Sequence, residues 1–151
     1  MDIGFGDVVT PAPEELAFPA LIDTVPQAKI KAYSLETVVA EKFHAMIVLS
    51  LANSRMKDFF DVYRILMKDK IDGEILLYAI KSTFANRKTG YRENHPLFGK
   101  EFFASKDRQS FWNGFPRKIK YPESMDFQTI GLLIKEPLRP YWESLRDEEV
   151  L

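Results

Sequence analysis

From Leu35 onward the chain repeats apolar residues at intervals of three and four, the spacing of one face of an α-helix. The first such run holds Leu35, Val38, Val39, Met46 and Leu49, behind Ser34 as an N-cap and with Glu36 in the first turn. Asn53 and Ser54 interrupt it, Asn53 as a candidate C-cap and Ser54 as the N-cap of a second helix. That helix is predicted over about Arg55 to Lys68, with Met56, Phe59, Phe60, Tyr63, Leu66 and Met67 on one face. Asp72 predicts the cap of a third helix, Gly73 to Asn86. Gly90, Pro96 and Gly99 make Asn86 to Lys100 a loop. Ser105 then caps a fourth helix containing Phe111 and Trp112, Ser124 a fifth, and Pro137 stands where a sixth begins.

The start of the chain has a different pattern. Met1 to Val9 reads as a strand with bends at Gly4 and Gly6, and a strand needs a sheet that nothing later clearly supplies. Pro11, Pro13, Pro19 and Pro26 mark an extended connector up to Tyr33, where neither a helix nor a central strand is expected. The expected organisation is a residual strand over 1–10, a Pro-rich connector over 11–33, a helical domain over 34–145 and a frayed tail over 146–151. The fold class is mainly α.

Composition narrows the chemistry. No apolar run reaches the roughly 18 residues of a membrane span, so no membrane is expected as a partner, and the absence of cysteine fits a reducing cytoplasm. Without cysteine, disulfide scaffolds, thiolate zinc sites and cysteine nucleophiles are excluded. His44 and His95 are the only histidines and read as structural or surface residues, so any metal would need carboxylates, favouring Mg²⁺ or Mn²⁺. The net charge of −1 conceals an uneven distribution. Residues 1–28 carry five acids and no base, whereas residues 81–120 carry ten bases and three acids. Phe84, Tyr91, Phe98, Phe102, Phe103, Phe111, Trp112 and Phe115 interleave with those bases. The segment reads either as a solvated surface over an aromatic core or as a module binding RNA or a protein partner.

Lys42 breaks the helical pattern most sharply. Its neighbours three, four and seven positions away are Leu35, Val38, Val39, Ala45, Met46 and Leu49, all apolar. A lysine there must snorkel, pair with an acid of the second helix, or face a cleft and hold a phosphate. Asp58 and Asp61, three apart, share the face opposite Phe59, Phe60 and Tyr63. Two carboxylates at that spacing need a cation, for which Arg55, Lys57, Lys42 or a metal would serve, or else they sit on a solvated face balanced by Lys57 and Arg64. Glu41 points about 100° away from Lys42 and reads as solvent-facing or as a partner of Arg55.

The order Asp2-Ile-Gly-Phe-Gly-Asp7, Glu36-Thr-Val-Val-Ala-Glu-Lys-Phe-His-Ala-Met46 and Asn53-Ser-Arg-Met-Lys-Asp-Phe-Phe-Asp61 resembles the AbiEii/AbiGii toxin family of abortive-infection systems. Phe18 to Asp23 and, more weakly, Ala79 to Phe84 extend the resemblance, which covers about residues 1–115. It implies a DNA polymerase β-like nucleotidyltransferase fold, α+β when complete. It also implies a cognate antitoxin, and transfer of a nucleotide from a nucleoside triphosphate with Mg²⁺ or Mn²⁺, in some members to transfer RNA; others are described as GTP-binding. Carried over, Asp2 matches an acidic metal-binding strand, with Asp7 as its neighbouring alternative. Lys42 matches the helical lysine, as a catalytic and nucleotide-binding residue. Asp58 matches the helical aspartate, a catalytic residue that positions Lys42 or accepts a proton; Arg55, as a nucleotide ligand, and Asp61, as a further catalytic residue, flank it.

The family's glycine-rich motif with its aspartate pair is not present in these residues, so the expectation is a truncated sheet, part of an active site and no catalysis by this chain alone. Two geometric expectations follow. Lys42 and Asp58 should approach within ion-pair distance, and Lys42→Ala should cost little stability or improve it, because it removes a charge from an apolar face.

Overall fold

A computed structural model describes residues 12–17, 29–119 and 125–147. Five α-helices dominate: α1 Leu35–Leu49, α2 Met56–Lys68, α3 Gly73–Asn86, α4 Lys106–Ile119 and α5 Phe127–Glu143. Two 3₁₀ turns, Ser50–Ala52 and Pro96–Phe98, lie in the connections. The mainly helical expectation holds. The proline-rich connector is more regular than its sequence suggests. Within it β1, Glu14–Ala17, pairs antiparallel with β2, Lys29–Ala32, in the register Glu14 to Ala32 and Ala17 to Lys29. Among the described residues the two strands form a sheet by themselves, and Pro13 stands just before β1. The Met1–Val9 strand and Asp2 and Asp7 lie outside the described residues.

Local chemistry sets most helix starts. Ser34 Oγ accepts the Thr37 N–H at 3.2 Å and opens α1. Asp72 Oδ1 accepts from Glu74 and Ile75 at 2.9 and 3.1 Å and opens α3. Glu36, nearly buried in α1, accepts the Asp72 N–H at 3.0 Å and so fastens the start of α3 to α1.

The break between α1 and α2 is built differently from the expectation. α1 stops at Leu49 because Ser50 leaves the helical region, with φ 44° and ψ −123°, a backbone conformation that residues with a side chain seldom adopt. Asn53 ends the 3₁₀ turn rather than α1, and its Oδ1 accepts the Arg55 N–H at 2.8 Å. Ser54 gives α2 no side-chain cap; the helix begins at Met56, with Arg55 at the cap position.

The C-terminal part also departs from the pattern. The observed cap of α5 is Asp126, accepting from Gln128 and Thr129 at 3.0 Å each; Ser124 lies outside the described residues. Pro137 starts no sixth helix. It and Pro140 sit inside α5, which runs 17 residues. Neither proline can donate to the carbonyl four residues back, yet the helix continues because Ile130, Ile134, Leu138 and Trp142, each four apart, stay buried on one face. Leu145, just past α5, is buried, and Arg146 reaches the Tyr91 hydroxyl at 3.1 Å, so ordered packing extends to the start of the expected tail.

α1 packs chiefly on α3, and α2 on α5, with α1 and α2 also in contact. Aromatic rings fill the two junctions. Phe43, Phe84 and Trp142 meet at centroid distances of 5.6–6.3 Å. Phe59, Phe103 and Phe127 meet at 5.0–5.9 Å, with Phe102 and Trp112 against them. The interleaved aromatics of residues 81–120 thus belong largely to the core: Phe84, Phe102, Phe103 and Trp112 are buried, and Phe111 is the one that stands more than half exposed.

Both histidines are structural. His95 Nε2 faces the Ile47 carbonyl at 3.0 Å while Nδ1 accepts the Leu97 N–H, which assigns the proton to Nε2. His44 Nε2 bonds the Thr89 hydroxyl at 2.8 Å, edge-on to Phe84. Burial, with the nearby Arg87 charge adding to it, pushes the His44 pKa down to about 4 from 6.5. The unfolded chain therefore binds a proton that the folded chain refuses. The contribution of His44 is full above pH 6.5 and declines as pH falls toward 4. Urea unfolding between pH 7 and 4.5 is expected to show this loss, and His44→Asn to flatten it; an equal loss in the variant assigns the effect elsewhere.

Candidate functional site

Lys42 leaves the apolar stripe of α1 and reaches across to α2. Its Nζ lies 2.7 Å from Asp58 Oδ1 and 3.0 Å from Asp61 Oδ2. The predicted approach of Lys42 to Asp58 is present, and of the sequence readings the pairing with helix-two acids describes the contact. Asp58 is not on a solvated face: its side chain is 5% exposed, Lys42's 21%. Arg55 Nε stands 2.9 Å from Asp58 Oδ2, an ion pair that lacks hydrogen-bond alignment. Lys57 Nζ meets Asp61 Oδ2 at 2.5 Å. Three cations and two carboxylates therefore form one cluster, which keeps one net positive charge.

The elements explain the convergence. Asp58 and Asp61 are one helical turn apart on α2, so both face α1 at the level of Lys42. Arg55 and Lys57 flank them on the outer side, where their side chains are 59% and 71% exposed. Burial alone would push the Lys42 ammonium down, but the hydrogen bonds and charges of Asp58 and Asp61 outweigh it and leave its pKa raised. Burial likewise pushes the Asp61 carboxyl up, and the hydrogen bonds and charges of Lys57 and Lys42 reverse that and leave it lowered. Lys42 is thus held as an ammonium and Asp61 as a carboxylate.

Glu41 departs from both sequence readings. It pairs with Arg87 at 2.5 Å and meets the Thr83 hydroxyl at 3.4 Å, tying α1 to α3. Neighbouring residues on a helix point about 100° apart, so Glu41 faces α3 while Lys42 faces α2. Arg87 is 46 residues from Glu41, a pairing that helical periodicity does not signal.

The family model for nucleotidyl transferase AbiEii toxin, type IV TA system, matches residues 1–139. The chain belongs to the AbiEii family. The match runs past residue 115, through α4 and most of α5, so the whole helical bundle down to Arg139 belongs to it. As a member of a type IV toxin–antitoxin family of nucleotidyltransferase-like toxins, the AbiEii chain has a cognate antitoxin as its implied partner. No curated protein and no solved structure matches the chain.

The described residues do not fit a divalent-metal site. No three acidic or histidine side chains among them converge, and Asp58 and Asp61 are each already shared by two cations. No helix among the described residues is long and apolar enough to cross a membrane.

Proposed function

We propose that these helices form the phosphate-binding side of a nucleotidyltransferase-like toxin of polymerase β-like fold, which transfers a nucleotide from a nucleoside triphosphate to RNA, with transfer RNA as the acceptor class. The observation that carries the reading is the placement of Lys42. An ammonium has three N–H donors; two are directed at Asp58 and Asp61, and the side chain keeps enough exposure to offer the third. A lysine fixed in this way meets a phosphate oxygen with little loss of side-chain freedom. Arg55 and Lys57, more exposed, add positive charge beside it.

Asp58 acts in this proposal as a positioning residue. Both its oxygens are engaged by cations and the carboxylate is buried, a poor arrangement for taking a proton from an attacking hydroxyl. Asp61, more open, is shared by Lys42 and Lys57. Carboxylates for Mg²⁺ or Mn²⁺ would come from outside this cluster; Asp2 and Asp7 are the candidates the family resemblance names.

The test is calorimetric titration of the chain with a nucleoside triphosphate, with and without magnesium, against Lys42→Ala. Binding that disappears in the variant, while its circular dichroism stays helical, supports the proposal. Equal binding by both chains overturns it. Asp61→Asn, which leaves the Lys42–Asp58 pair in place, is expected to bind at least as well as the parent, because it removes a negative charge beside the phosphates.

A non-catalytic RNA-binding module in residues 81–120 is less well supported, because most of the aromatic rings that would stack on bases are in the core.

A further inference from the structure

We propose that the cleft between the Ser50–Ala52 turn and the first turns of α4 is an oxyanion site that takes a phosphate group, either free or as the diester of a polynucleotide. The inference does not rest on the phosphate role of Lys42.

The cleft has a volume of about 280 Å³, and Asn53, Ser54, Ser105 and Arg108 line it, with Leu51 and Phe111. Two of these side chains are buried and incompletely satisfied. Asn53 is 2% exposed; its Oδ1 accepts the Arg55 N–H, and its Nδ2 has no partner. Arg108 is 9% exposed; Nη2 donates to the Leu51 carbonyl, the guanidinium lies 4.3 Å over the Phe102 ring, and Nε has no partner. Folded proteins seldom leave buried N–H donors without acceptors, and the two residues that carry such donors both line this cleft.

The surroundings favour an anion with several oxygens. The N–H groups at the start of α4, from Lys106 to Arg108, have no acceptor within the helix, and the helix dipole adds partial positive charge there. Ser54 and Ser105 contribute hydroxyls that can donate. A guanidinium, a primary amide, hydroxyls and a helix N-terminus together match a phosphate better than a single water, which has only two acceptor sites. Exposed Asp107 lines the same cleft and opposes an anion, so it should limit affinity. Phe111, 54% exposed beside the cleft, offers a face on which a base can stack. Asn53 also touches the α2 backbone at Arg55, which places the cleft next to the Lys42 cluster.

The experiment is a titration of the isotope-labelled full chain with inorganic phosphate at constant ionic strength, followed by nuclear magnetic resonance, with chloride as control. The titration is then repeated with a single-stranded oligonucleotide. Saturable shifts are expected at the Asn53 side-chain amide, at Arg108 Nε–H and at the backbone N–H groups of Lys106 to Arg108. Asn53→Asp keeps the acceptor for Arg55 but replaces the amide donor with a negative charge, and should weaken binding by about tenfold or more. Asp107→Asn, at an exposed position, should tighten it by about threefold, and this arm decides the question if Asn53→Asp fails to fold. Tighter binding of the oligonucleotide than of phosphate identifies the polynucleotide as the source; equal binding identifies free phosphate. Absence of saturable shifts at Asn53 and Arg108 means that the two donors serve a buried water, and overturns the proposal. So does an affinity unmoved by Asp107→Asn. Lys42→Ala should leave these shifts intact, which separates this outcome from that of the triphosphate titration.

Discussion

Lys42→Ala is expected to lower the unfolding free energy by about 2–3 kcal/mol, the reverse of what the apolar stripe of α1 suggests. Removing one partner of a buried ion pair typically costs about 3–5 kcal/mol, because the remaining charge stays buried without compensation. The value here is smaller because Arg55 remains beside Asp58 and Lys57 beside Asp61. The pH dependence has a definite sign. Lys42 has a raised pKa, so its contribution is complete below 10.5 and is lost as pH rises through the folded value. Asp61 has a lowered pKa, so its contribution is complete above 3.8 and is lost as pH falls through the folded value. Urea unfolding of parent and variant should therefore differ by a constant amount between about pH 5 and 9, with the gap closing in acid. A variant as stable as its parent at pH 7 would show that the cluster is loosely made in solution and would remove the basis for a positioned ammonium.

Gly131→Val is expected to prevent folding or to lower the melting temperature severely, and Gly131→Ala to cost about 2 kcal/mol or more. A Cβ at residue 131 would stand 2.2–2.6 Å from ring atoms of Phe103. That ring cannot retreat easily, because Phe59, Phe102 and Phe127 surround it at centroid distances of 5.0–5.9 Å. Alanine favours a helix over glycine by about 1 kcal/mol, which offsets only part of the overlap. Gly114 in α4 is the control, since nothing lies within 4 Å of a Cβ built there. Gly114→Ala should raise stability by about 0.5–1 kcal/mol. Thermal melts of the three variants decide the matter: if Gly131→Ala gains as much as Gly114→Ala, the close seating of α5 on Phe103 is wrong.

The candidate site is partly legible in the sequence. Lys42 stands out because its helical neighbours are apolar, and Asp58 and Asp61 because carboxylates three apart on a helix require a cation. Periodicity alone leaves open whether Lys42 snorkels, pairs or faces a cleft. The crossing of α1 and α2 decides that it pairs, with both aspartates at once. The Glu41–Arg87 pair and the unsatisfied donors of Asn53 and Arg108 have no local signal, because each depends on chain segments far apart in sequence.

By itself the sequence determined the elements whose causes are local. Ser34 and Asp72 open their helices because their side chains accept N–H groups two or three residues ahead, a geometry encoded within one turn. The three- and four-residue apolar spacing made the chain mainly helical for the same reason. Tertiary structure decided the rest. It carried α5 through Pro137 and Pro140, because burial of Ile130, Ile134, Leu138 and Trp142 outweighs the lost backbone hydrogen bonds. It drew the aromatics of residues 81–120 inward, and it turned a lysine on an apolar stripe into the centre of an ion cluster. Burial and charge pairing act between elements, and their outcome depends on which helix faces which.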